Sequence, residues 1–535
     1  MSQFRPNIAL LVLLVAMAAI GVVGCGQKVP RSSDVKSEIR IALQSDIRGT
    51  NPGVNRDVFT DDVLLQIVET LVTYADDLSV VPLLAERVER SQDGTRYIFH
   101  LRRDVVFHNG APMTSREVVW SWERMLDPAT NWVCRVWFDG SQGLKIESVT
   151  ATDLYTVEFV INRPSVAFLD LLSNLQCSPV ILHPDSVASN GDWIAPVGTG
   201  PFKLDEWMRG EYVLLIRHDA YRIGIGERNG LAGNKEPAGE VFRGVIIPDP
   251  SAAKAALLSG QVDIATRLQV SDLVDIEAAT NLTVFKRESL DWNVLLMQSA
   301  RPPFDDRLLR QAVAHAIDFS ILAEVVSGDV SQPNASIVAR SSSEHISCHQ
   351  DRYVHDIEKA KDLLSRSGYE GEPIKLITNK RFANMFDNAL IIQRMLIEIG
   401  LNVELEVLEW TTQIDQYYSG DFDLMSFGYT GRTEPSLGYK AILGPKSENA
   451  FYQWDSAEAM ALLNQTETEL DPGNRRSMFC RLHAMMLDEA PLINLYNNYI
   501  IEAASDRVIG YDAHATQKPR LWGVSLSTAE GEGGE

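Results

Sequence analysis

Residues 374–408 read IKLITNKRFANMFDNALIIQRMLIEIGLNVELEVL, and this stretch decides the fold class. Ile374 to Thr378 is a short apolar run of strand type. Asn384 to Ile399 carries its apolar residues on one helical face for about four turns, and Gly400 ends it. Asn402 to Leu408 then reads as a second strand. Two strands joined by a helix form a βαβ unit, a parallel pair with a right-handed crossover. The chain is therefore α/β. Ligands of such sheets sit beyond the carboxyl ends of the strands, which draws attention to Glu409 and Trp410.

The same mixture of periods extends outward. Towards the N-terminus, Glu38 to Leu43 alternates as a strand. Thr60 to Val72 predicts a helix with Thr60 as N-cap, acidic residues in the first turn and apolar residues at 63, 64, 67, 68 and 71. Arg96 to Leu101 follows the turn Asp93-Gly94, and Val105 to His108 precedes Asn109-Gly110, so both carry hairpin signals. Thr114 and Glu117 form a capping box for a helix to Met125, and Trp120 and Trp122 inside it are expected in the core. Towards the C-terminus, Arg475 to Glu489 predicts a helix leading through Pro491 into a strand, Leu492 to Tyr499. No fixed-period repeat is present, which excludes solenoids and propellers.

The chain has 535 residues, 45% of them apolar and 23% charged. That length fits two to four domains rather than one core. With 49 Lys+Arg against 72 Asp+Glu, the formal net charge of −23 argues against a nucleic-acid partner, which needs a basic face. The five cysteines include no C-x-x-C pair, so zinc ribbons and thioredoxin-like motifs drop out. Ile8 to Val23 carries no charge, is shorter than a membrane span, and leads into Val22-Val23-Gly24-Cys25. This end resembles the lipobox of bacterial lipoproteins, with Val22 in place of the usual leucine. It implies a signal peptide over 1–25, lipidation of Cys25, and export of the remainder to a compartment that permits disulfides. Residues 26–35 read as a tether and 527–535 as a disordered Gly/Glu tail.

Motifs for catalysis are missing. The chain contains no G-x-S-x-G, H-E-x-x-H, Walker or G-x-G-x-x-G sequence; Gly224-Ile225-Gly226 reads as a loop. His345, Cys348, His349 and His355 are metal-ligating types, but such close positions rarely surround a metal alone, and they read as a surface loop. No cofactor or metal is expected.

Several blocks in order nevertheless resemble one family. They are Glu69-Thr70-Leu71-Val72 with Val81-Pro82-Leu83-Leu84-Ala85-Glu86; Ser91-x-Asp93-Gly94 through Phe99-His100-Leu101-Arg102; and Val106-Phe107-His108-Asn109-Gly110-x-Pro112-Met113-Thr114. Further on come Pro196-Val197-Gly198-Thr199-Gly200-Pro201-Phe202, Leu257-x-Ser259-Gly260-Gln261-Val262-Asp263-Ile264, and Pro302-Pro303-Phe304-Asp305-Asp306 with Arg310-Gln311-Ala312-Val313. Together these resemble the family 5 extracellular solute-binding proteins of peptide- and nickel-type ABC transporters. Gly198 and Gly200 are expected to permit tight turns, and Pro303 an extended approach to the following helix.

The resemblance implies a three-lobed, periplasmic-binding-protein-like clamp and no enzymatic activity. Lobe I is expected at 36–72, 198–286 and 500–526, lobe II at 73–197 and lobe III at 287–499. A peptide or similar small polar solute is then held between lobes I and III and passed to a membrane permease, the protein acting as a lipid-anchored monomer. A nickel or metal-chelate ligand, or an exported hydrolase, is the alternative. Cys134, Cys177, Cys348 and Cys480 allow three pairings; Cys134–Cys177 is favoured because both lie in lobe II. Peptide-binding relatives carry an aspartate shortly before a Glu-Pro or Asp-Pro in lobe III, where it pairs with the peptide's amino group. Here Phe427 to Pro435 has Arg432 instead, which favours an anionic or polyol ligand. Trp410, Tyr429 and Arg432, with Trp292 and Asn293 near the hinge, are the expected ligand contacts.

Overall fold

The computed structural model describes residues 37–527 apart from 56, 175, 178 and 225. The expected signal peptide, Cys25, the tether and all of the tail beyond 527 lie outside the described residues.

One ten-stranded sheet runs through the molecule. Its first five strands in spatial order are Phe202–Met208, Tyr212–Arg217, Val241–Ile246, Glu38–Leu43 and Ile264–Ala265. Leu492–Ser505 and Leu282–Met297 follow, and then Leu424–Tyr429, Ile374–Asn379 and Val403–Leu408. The predicted βαβ unit is present: Ile374–Asn379 and Val403–Leu408 are parallel, and the Ala383–Glu398 helix crosses between them. Each half of the sheet is buried on both faces, as parallel strands require. Ile39, Ile41, Phe202 and Phe242 share one core in the first half, and Ala42, Leu257 and Ile276 another. In the second half, Leu376 and Leu424 face one core and Ile377 and Met425 the other.

A separate four-stranded sheet orders Ala85–Arg90, Arg96–Leu101, Thr156–Ile161 and Ile146–Asp153. It is covered by the Ser115–Leu126 helix, whose predicted capping box is formed. Trp122 is 1% exposed and packs edge-on against Trp132, Phe138 and Phe159, so its role is core packing. The Cys134–Cys177 disulfide lies in this region, and a second bond joins Cys348 to Cys480.

Several sequence expectations need correction. The helix near Thr60 spans only Val58–Leu64, and its cap is Asp57, which accepts from the Thr60 N–H. Thr60 Oγ1 instead accepts from Arg48 N–H at 2.9 Å. Val63, Leu64, Ile67, Val68 and Leu71 are all buried, but the chain leaves the helix because Glu69 is drawn into a buried site. There Lys235 Nζ lies 2.9 Å away, and the Tyr221 and Thr199 hydroxyls donate at 3.0 Å. Gly198 and Gly200 serve that site by close approach rather than by turning. A β-carbon on either would lie 2.3–2.5 Å from the Ile67 backbone, while Gly200 N–H donates to Ile67 O. The Val105–His108 hairpin reduces to one bridge, Val106 to Pro112. Pro303 follows a cis peptide bond inside a turn rather than an extended approach.

Candidate functional site

The two longest strands, Leu282–Met297 and Leu492–Ser505, pair antiparallel along most of their length, and their register shifts twice near the middle, between Glu288 and Trp292 and again between Asn293 and Val294; the first shift is the larger. Glu288 pairs with Tyr499 and Trp292 with Asn497, so Ser289, Leu290 and Asp291 stand opposite Asn498. Extra residues on one strand form a bulge that re-aims side chains. Here the bulge puts Leu290 and Asp291 on the wall of a cavity.

Gly431 fixes the next piece. A β-carbon there would lie 2.2 Å from the Leu290 backbone, so only glycine lets this loop lie flat on the bulge. Its N–H donates to Asp291 Oδ1 at 2.8 Å. Burial pushes the Asp291 carboxyl above the usual carboxylate range, with the Gly431 and Gln517 donors pulling it back. With the loop pinned, Arg432 and Thr433 line the cavity. Arg432 donates to the carbonyls of Thr430 and Gly431. Thr433 Oγ1 donates to Tyr74 OH at 2.9 Å, and Tyr74 OH donates to Asp170 O.

The opposite wall comes from loops beside the first half of the sheet. Arg267 and Gln517 are both non-glycine residues with φ of 58°, a strained conformation that tends to mark functional positions. They hold each other: Arg267 Nη1 donates to Gln517 Oε1 at 3.2 Å. Gln517 Nε2 in turn reaches across to Asp291 Oδ2 at 2.9 Å. Arg267 and Lys518 share the buried carboxylate of Asp62, at 3.2 and 2.8 Å. Asn174 and Gln176 close a third side. The cavity encloses about 940 Å³, counted to its open mouth. Three cations and the carboxylates of Asp61 and Asp291 on its walls suit a small polar ligand with at least one charged group.

Of the residues singled out from the sequence, Arg432 lines this cavity. Trp292 and Tyr429 stack on each other at 4.6 Å, Tyr429 OH meets Tyr417 OH at 3.2 Å, and Trp410 stacks on Phe427 at 5.9 Å. These rings belong to one core of the second half-sheet and do not line the cavity. Trp410 opens the helix Trp410–Ser419, beyond the strand end where the βαβ rule put it. Asn293 is 1% exposed and accepts from Asn384 Nδ2 at 2.7 Å. Sequence reading missed Arg267, Asp291, Thr433, Gln517 and Lys518. Only Asp291 had a signal, a carboxylate interrupting the run into Trp292 and Val294.

The surface-loop reading holds in part: His345 and Cys348 are half-buried and His355 is exposed, but His349 is 2% exposed and packs against the rings of His345 and His483. Cys348 is bonded to Cys480, so its thiolate is not available to a metal. Among the described residues no group of three or more His, Cys, Asp or Glu is placed to hold a metal ion.

Two half-sheets joined through a pair of long strands, with a charged cavity at the break in their pairing, define a protein that encloses a solute. The model of the bacterial extracellular solute-binding proteins, family 5 (middle region), matches residues 79–450. The chain belongs to this family and is the substrate-binding protein of a peptide- or nickel-type ABC transporter. It is similar to the probable deoxycholate-binding periplasmic protein YgiS of Escherichia coli K12, 25% identical over 494 residues, which cover 85% of this chain and 87% of that one. It is also similar to the oligopeptide-binding protein OppA of Bacillus subtilis, 22% identical over 520 residues and covering 91% and 92%. The solved structure of AgaA from A. tumefaciens R10, in complex with agropinic acid, has the same fold. Its TM-score is 0.70 at 24% identity, covering 92% of this chain and 99% of that one.

Proposed function

We propose that this protein captures a small polar solute bearing an anionic group and delivers it to a membrane permease. The peptides are the broad ligand class, narrowed here to acidic members and other organic acids. The observation that carries this reading is Arg432 on the cavity wall, in the loop where peptide-binding relatives place an aspartate. Guanidinium gives a planar fork for a carboxylate, and on the facing wall Arg267 and Lys518 put two cationic groups against the single carboxylate of Asp62. Two similar proteins are named with acids, deoxycholate and agropinic acid.

The lobes in this reading are those the family resemblance implies: lobe I at 36–72, 198–286 and 500–526, lobe II at 73–197, lobe III at 287–499. The bulge at 289–291 is then the hinge. The contacts Gln517–Asp291 and Tyr74–Thr433 join lobes in a closed state, and a ligand touching both sides favours that state. Mass spectrometry of the small molecules released from the purified, denatured protein tests the ligand class. An organic acid recovered intact is the expected result; a cationic or neutral solute would overturn it. Cleavage of the recovered solute on prolonged incubation would show an enzyme instead.

Export and lipidation at Cys25 complete the reading, with a monomer at the membrane surface. Cys25→Ser is expected to move the protein from the membrane fraction to the soluble one. Retention on the membrane would remove the lipid anchor.

A further inference from the structure

A second cavity, of about 930 Å³ counted to its mouth, lies on the other side of Arg432. Arg432 and Leu437 line both cavities, so the two spaces meet at that guanidinium. Their chemistry differs. The first is lined by Arg267, Asp291 and Lys518. The second is walled chiefly by Trp137, Leu144 and Leu171 on one side and Leu437 and Ala441 on the other. Its charged groups satisfy one another: Glu467 pairs with Arg163 at 3.4 Å and with Lys440. That leaves a largely apolar chamber, with Gln142, Ser165 and Ser436 as its neutral polar groups, opening onto one that holds cations and carboxylates together, and the boundary between them is a guanidinium, a group that pairs with carboxylates.

We infer that the solute is amphipathic, an organic acid whose carboxylate sits at Arg432 and whose apolar body passes into the second cavity. The inference rests on the anionic reading above and adds a site and a shape to it. Apolar pockets with a few convergent polar groups hold such ligands well. A wholly polar ligand would leave Trp137, Leu144 and Leu171 facing water in the closed protein.

The test is calorimetric titration with straight-chain monocarboxylates from acetate to decanoate, with decyltrimethylammonium as a head-group control. Affinity is expected to rise about four-fold per methylene once the chain passes Arg432, the factor for burying one methylene, and the ammonium is expected not to bind. Ala441→Trp fills the second cavity and should flatten that rise while leaving the shortest binding acid unaffected. Ala167→Trp, on the opposite wall, makes the same test if Ala441→Trp fails to fold. Carboxylates that bind with no chain-length dependence would overturn the second cavity but leave the anionic reading standing. A slope that survives both tryptophan variants would place the apolar body elsewhere and overturn it too. Failure of every carboxylate to bind would remove both readings.

Discussion

Gly431 and Arg432 are neighbours with opposite kinds of importance, and substitution separates them. Alanine at 431 forces a methyl against the Leu290 backbone, where a β-carbon has 2.2 Å. Overpacking of this kind costs about 1–3 kcal/mol, and the loop must lift, taking its bond to Asp291 and the placement of Arg432 with it. Gly431→Ala should therefore lower both the thermal midpoint and the affinity for an organic acid. Arg432→Ala removes the guanidinium without forcing a methyl into the Leu290 backbone, and should lower affinity at least ten-fold. Loss of a charge-assisted hydrogen bond, about 1.5–3 kcal/mol, sets that scale. An unaltered affinity in Arg432→Ala would take the residue out of the site. The pair Glu69–Lys235, with both side chains at most 2% exposed, calls for a different experiment. Lys235→Met leaves a buried carboxylate without its cation, which costs about 3–5 kcal/mol. Denaturant unfolding should show that loss, and the Glu69→Gln/Lys235→Met pair should recover most of it.

At the scale of elements, local signals were legible wherever a residue pattern and a cap coincide. The βαβ unit and the Ser115–Leu126 helix announce themselves through period, capping box and terminal glycine. The helix after Val58 is misread beyond Leu64 because its apolar spacing is satisfied by burial in a bent chain. What bends it is Glu69, whose partners lie at 199, 221 and 235. The last strand runs on from Tyr499 to Ser505 because it pairs with Leu282–Arg287, a partner more than 200 residues away that no local pattern reveals. The cavity is harder still. Arg432 was legible because it departs from a family pattern. Asp291 owes its position to a register break, and Arg267, Gln517 and Lys518 to loops. The second disulfide has the same character, because it spans a separation of 132 residues against 43 for Cys134–Cys177. On loop entropy, each bond stabilises by about 2–5 kcal/mol, and the longer loop by about 1 kcal/mol more. The double variant Cys348→Ser/Cys480→Ser should therefore melt below Cys134→Ser/Cys177→Ser. The reverse order would show that local packing around the bonds outweighs chain entropy.

Across the whole molecule, buried titratable groups set how stability depends on pH. Seven of the ten histidines, at 108, 218, 315, 345, 349, 483 and 514, have their pKa lowered, with burial the leading cause. His108 is lowered to about 3, and His349 and His514 to about 4. The unfolded chain takes up these protons below about pH 6.5 and the folded one does not. Stability contributed by neutral histidines is therefore present above that pH and lost as pH falls towards 4. Glu502 acts in the opposite sense. Burial raises its carboxyl to about 7, so the folded protein keeps a proton that the unfolded chain releases above about pH 4.5. Its contribution is full below that value and is lost as pH rises through 7. Burial raises four more carboxyls in the same sense, those of Asp170, Glu288, Asp291 and Asp387. Seven histidines outnumber these five carboxyls, so the thermal midpoint should climb from pH 4.5 to 6.5 and then level or decline slightly to pH 7.5. Glu502→Gln should steepen the acid limb and lessen the decline, because Tyr511 OH, which now donates to Glu502 Oε2 at 2.7 Å, can donate to the amide oxygen instead. Differential scanning calorimetry in matched ionic strength measures both curves. A midpoint that stays flat between pH 4.5 and 6.5 would mean that these histidines are already protonated, or as well solvated, in the folded protein.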